Sequence, residues 1–155
     1  MALSISQWAE ASWWGTFVRE STMGFAIASV FLLFGIVLLL GGVFLLSLRL
    51  FGVVMADQPV SQVAAGFRRW TLVGLVATLL SGPSMWAAAA MRYYDSPAFW
   101  LEQQMLAAAI VFHFTLWHYV TSHDDAPPAL RAFTGILALG LWFGVGVAGR
   151  AIGFF

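Results

Sequence analysis

The stretch GFAIASVFLLFGIVLLLGGVFLLSL, Gly24 to Leu48, contains no charged residue and only two hydroxyls, Ser29 and Ser47. A helix that is apolar on every face has no side to turn toward water, so it belongs in a core or in a bilayer. A hydrocarbon layer roughly 30 Å thick needs about 20 such residues in a helix, and this run exceeds that length. The rest of the 155-residue chain agrees: 61% of it is hydrophobic and 9% is charged. Soluble domains carry roughly 25% charged residues. Most of this surface therefore faces something other than water, and the chain reads as an integral membrane protein.

Three further segments have spanning length, at about 70–91, 99–120 and 132–151. In lipid the backbone must satisfy its own hydrogen bonds, which makes each a helix. Short connections make neighbours antiparallel, so the expected architecture is an all-α, integral membrane four-helix bundle forming one domain over 1–155. Residues 1–20 precede the first span (about 24–48) as a short interfacial segment. There Trp8, Trp13, Trp14 and Phe17 form an anchor at headgroup level, where amphipathic rings settle. Gly15 and Thr16 weaken its helical character. Lacking a basic start and a continuous apolar core, it is not expected to be a cleaved signal.

With seven Arg, no Lys and seven acids, the chain has zero net charge and no basic face for nucleic acid. The absence of Cys excludes disulfides and thiolate metal sites. Arg49, Arg68, Arg69 and Arg131 fall on one side of the bundle; Arg19, Arg92 and Arg150 fall on the other. The positive-inside rule then puts both termini outside the cytoplasm. Stripes of small residues mark expected helix contacts: Gly74, Thr78 and Gly82 in the second span, Gly140, Gly144 and Ala148 in the fourth. Gly82-Pro83 is expected to kink the second span.

Ionisable groups at membrane depth decide function most often. Glu102 sits about one turn into the third span, near a helix N-terminus that favours an acid. The three histidines, His113, His118 and His123, are spaced by five. On a regular helix five residues turn through about 1.4 turns, which points His113 and His118 to nearly opposite faces. They are therefore not expected to share a metal, and no metal site is expected. His118 reads as an interface residue. His123 reads as part of the polar loop before Pro127-Pro128. His113 alone lies deep. It is either a structural histidine with a hydrogen-bond partner or a contact to a haem or quinone. A second axial ligand would come from another helix or another chain, with Met23, Met85 and Met105 as candidates.

The order of short motifs along almost the whole chain resembles a family of small bacterial four-helix membrane proteins of unknown function. The motifs are Gln7-Trp8-Ala9-Glu10-Ala11, Arg19-Glu20-Ser21, Gly35, Leu48-Arg49-Leu50-Phe51-Gly52 and Arg69-Trp70-Thr71. Gly82, Arg92-Tyr93, Ser96-Pro97-Ala98-Phe99, Phe112-His113 and Ala148-Gly149-Arg150 continue the series. More distantly the chain looks like membrane proteins of the copper-resistance D and protoporphyrinogen-oxidase J type, in which helix-borne histidines are associated with haem. The resemblance implies a helix-one His where this chain has Leu32, an Asp where it has Ser47, and a Lys where it has Glu102. Only the helix-three His is kept, as His113. Leucine cannot ligate iron, so half of any paired site is gone.

A scaffold that keeps its helices and loses its polar centre is expected to be a non-catalytic membrane subunit or anchor of a larger, redox, complex. Its partners would be the lipid bilayer and other membrane or periplasmic subunits. A b-type haem or quinone electron carrier using His113, its cofactor shared with a partner, is the alternative. A small transporter or channel ranks third, because the middle of the spans offers little beyond Ser29, Thr78, Ser81 and His113.

Overall fold

The computed structural model describes residues 2–152. Its elements are α1 (Ala2–Ala11), α2 (Trp13–Glu20), α3 (Thr22–Leu50), α4 (Val60–Ala88), α5 (Ala90–Tyr94) and α6 (Pro97–Phe112). A π-helical turn (His113–Trp117), α7 (His118–Ser122) and α8 (Pro128–Ala151) complete it. Four helices among the described residues are long and apolar enough to cross a membrane: α3, α4, the continuous rod 97–122, and α8. The protein is an all-α bundle with the composition of a multi-pass membrane protein.

α3 and α4 lie against each other along their lengths, α8 packs on the other side of α3, and α6 packs on α8. The second span meets the third mainly through α7. Leu39, Val43, Leu46, Val63, Leu75, Phe112, Trp117, Val120 and Trp142 fill the interior where the four rods meet. Outward positions such as Val30, Val37, Leu80 and Val147 are apolar and exposed, as a lipid-facing surface requires.

The helices run further than the apolar segments predict. α3 and α4 each hold 29 residues, ~43 Å at the helical rise, against a core of roughly 30 Å. α4 begins ten residues before Trp70, so Arg68, Arg69 and Trp70, at the start of the apolar run, lie inside a longer helix. Nor does Pro83 end α4; the helix passes through it and breaks at Ala89, whose backbone is irregular (φ −149°, ψ 44°). α3 ends at Leu50, and the φ of +75° at Gly52 turns the chain so that the Val53 N–H reaches back to Leu48 O at 3.0 Å.

The N-terminal segment is two helices. Ser12 separates them and caps α2, accepting from Gly15 N–H at 3.1 Å. Gly15 lies inside α2 because no Cβ fits there: one would sit 2.5 Å from Ala9 O and 2.7 Å from Ala87 O. Glu10 fastens this layer to the bundle. Its carboxylate accepts from Met91 N–H at 2.7 Å and pairs with Arg19 at 3.6 Å. Trp13 stacks on Phe17, and Trp14 tilts against both. Tyr93, Tyr94, Phe99 and Trp100 cluster on the same end of the bundle. Aromatic rings thus gather where the helices leave lipid.

At the opposite end two loops are tied together. Arg49, nearly buried, donates from Nε to Gln58 O at 3.0 Å and also from its terminal nitrogen. Asp124 accepts from Ser61 N–H at 2.9 Å and from the Ser61 hydroxyl, and so caps α4 from a distant loop. Arg131 donates to Asp124 O. The Ser61 donors hold the Asp124 carboxyl below the usual carboxylate range.

Candidate functional site at His113

His113 opens the π turn in the third span and is 8% exposed. Trp117 stacks on its ring at 6.2 Å, Trp142 of α8 meets it edge-on at 6.0 Å, and Phe114 lies at 5.4 Å. The imidazole Nδ1 and the Trp142 Nε1 are both buried without a hydrogen-bond partner among the described residues. A buried imidazole nitrogen left this way costs on the order of 1–3 kcal/mol. Such an arrangement needs an account, whether a small polar guest or tolerance by a well-packed core.

The π turn changes the angular spacing of the histidines. Its hydrogen bonds run from i to i+5, so residue 118 follows 113 by about one turn instead of 1.4. His113 is buried while His118 stays exposed. Thr115, inside the turn, donates to Val111 O at 2.6 Å, and this back-bonding competes with the regular helical ladder. His123 sits at the end of α7, its Nδ1 2.8 Å from Tyr119 O and its ring stacked on Tyr119. Among the described residues no three His, Asp or Glu side chains gather as a ligand set.

The methionines considered as second ligands lie elsewhere. Met105 is about 12 Å down the same helix, pressed on Gly144 of α8. Met85 faces Ser29, and Met23 is 72% exposed. Of the small residues, Gly74 and Thr78 lie in the α3–α4 seam. A Cβ on Gly74 would lie 2.6 Å from Leu39 N and 2.7 Å from Gly35 O. Gly144 and Ala148 face the bundle. Gly82 and Gly140 have open space where a side chain would begin. Trp8 and Trp13 are largely exposed, and Trp14 and Phe17 partly so.

The model of a family of unknown function, DUF6644, matches residues 5–155. The chain belongs to DUF6644. No curated protein and no solved structure matches it.

Three positions in this DUF6644 chain, singled out by the resemblance, have distinct settings. Leu32 is half-buried on α3, which packs on α4, α8 and α2 and not extensively on the third span. Ser47 is fully buried and donates to Val43 O at 2.8 Å. Glu102 lies against the bare backbone of α8, where a Cβ on Gly149 would come within 2.7 Å of its Oε1.

Sequence reasoning missed Trp142 and the π turn. Trp142 carried a signal: a tryptophan in mid-span, away from either interface, needs a partner for its indole N–H. The π turn carried none beyond Thr115.

Proposed function

We propose that this DUF6644 chain is a non-catalytic membrane subunit or anchor of a larger membrane complex, with a redox assembly as the best-fitting parent. The carrying observation is the setting of the one deep histidine. His113 is walled in by Trp117, Trp142 and Phe114, and among the described residues no three His, Asp or Glu side chains gather around it. General acid–base work needs a proton-transfer partner within reach of a substrate, and covalent catalysis needs an activated nucleophile. The bundle centre offers neither, and what it presents instead is apolar surface. The redox parent rests only on the distant resemblance of the sequence motifs to the copper-resistance D and protoporphyrinogen-oxidase J type proteins. The arginine distribution favours termini outside the cytoplasm, and the resemblance to a bacterial family makes that the periplasmic side of an inner membrane.

The test is isolation of the tagged chain from the membranes of its own host under mild solubilisation. Other chains held in fixed stoichiometry are the expected result. A stable single species whose composition does not change between detergents would defeat the reading.

A second reading, electron transfer through a b-type haem or quinone at His113, is favoured by one observation. The unpartnered Nδ1 leaves a donor or acceptor pointing into the protein. It requires a reduced-minus-oxidised absorbance difference that disappears in His113→Ala; a spectrum unchanged by that substitution removes it.

A further inference from the structure

On the face of the bundle away from His113, α3 and α4 leave a groove of about 780 Å³. Its walls are apolar, with Ile27 and Phe31 on one side and Val76 and Leu80 on the other. Trp14 and Phe17 of α2 close one end, and Arg69 stands at the other. From Arg69 to Ser84 the groove follows α4 for about 22 Å, fifteen residues at the helical rise. A rod-like apolar chain fits that shape; a compact ligand does not.

Arg69 decides the head of that occupant. Arg49, Arg131 and Arg19 are engaged by Gln58 O, Asp124 O and Glu10. Arg69 has no hydrogen-bond or ion-pair partner among the described residues, and Arg68 beside it adds a second positive charge. Arg69 sits where the apolar run of α4 begins, next to the exposed Trp70, at the level of lipid headgroups. A guanidinium bordering lipid is costly unless paired, and its planar fork matches phosphate oxygens. We propose that the groove is a binding site for an anionic phospholipid, with its phosphate on Arg69 and one acyl chain lying along α4 toward α2. A zwitterionic lipid would bring its own cation and cancel much of that attraction. The inference stands independently of the subunit reading.

The experiment uses the full chain in discs of phosphatidylcholine containing a minor fraction of phosphatidylglycerol, with retained lipid measured by native mass spectrometry. The wild type is expected to keep one phosphatidylglycerol, enriched over its share of the disc. Arg69→Gln should reduce that retention about tenfold or more, the loss of one charge-assisted pair, and Arg69→Lys should restore part of it. Val76→Trp, which fills the groove and leaves the charge, should displace the lipid as well. Because Arg69 and Val76 are exposed, neither change threatens the fold. Retention of the two lipids in their bulk ratio would overturn the proposal. So would retention indifferent to Arg69, or a neutral lipid or a second copy of the chain in the groove.

Discussion

Replacing Gly74 by alanine adds one methyl group to a place where two helix backbones touch. The new carbon would stand 2.6 Å from Leu39 N and 2.7 Å from Gly35 O, whereas ordinary contact begins at 3.4 Å. Relief therefore requires α3 and α4 to part by about 0.8 Å at that point (3.4 − 2.6). The obstructing atoms are backbone, so no side chain can swing aside. Overpacking of this kind costs typically 1–3 kcal/mol, and a backbone-on-backbone clash belongs in the upper half of that range. A span stays helical in the membrane even when apart from its neighbours, so alanine's better helix propensity offsets little. Gly140→Ala is the internal control. Its Cβ meets nothing within 4 Å, and its effect should stay within about 0.5 kcal/mol. Both variants can be unfolded reversibly in mixed micelles by titrating a denaturing detergent and following tryptophan fluorescence. Equal effects of the two substitutions, or a neutral Gly74→Ala, would refute the claim that this seam holds the first two spans together.

Three other outcomes follow from contacts already described. His113→Leu should leave stability unchanged or raise it by about 1–3 kcal/mol, because it removes an unpartnered buried nitrogen; a large loss in the same titration would mean that the imidazole holds a partner in the membrane. Asp124→Ala should lower the thermal midpoint at neutral pH by uncapping α4. Since folding lowers the Asp124 pKa, its contribution is complete above the unfolded value of about 4 and fades as pH falls through the folded one. Thermal midpoints of the wild type, but not of the variant, should carry that acid-side decline. Arg49→Gln removes charge-assisted bonds from a nearly buried guanidinium to Gln58 O, a loss of about 1.5–3 kcal/mol. The loop 51–59 should then be cut faster by limited proteolysis.

The sequence carried the architecture because lipid leaves so few choices. A run such as Gly24–Leu48 has one stable form in a bilayer, and four runs joined by short links leave little topological freedom. It carried less about the ends. Val60–Arg69 is polar enough to read as loop, yet Asp124, 63 residues away, caps it and keeps it helical. The two N-terminal helices are likewise fastened to the bundle by Glu10 reaching Met91. In both cases the deciding partner is far off in the chain, and local composition does not show it. At the candidate site the depth of His113 was legible from its flanking phenylalanines. Its neighbour Trp142 was not, because that contact depends on how α8 packs. The separation of a buried His113 from an exposed His118 was legible too, although a π turn between them breaks the 3.6-residue period on which the angular argument rests.

The claim that this chain serves as a subunit is tested most directly by the mass of the particle that holds it. Native mass spectrometry of the tagged chain, released in discs of its own host membrane without detergent, gives that mass. The account predicts a particle in which this 16.9 kDa chain is accompanied by at least one different chain in fixed ratio. A particle built from this chain and lipid alone would contradict it.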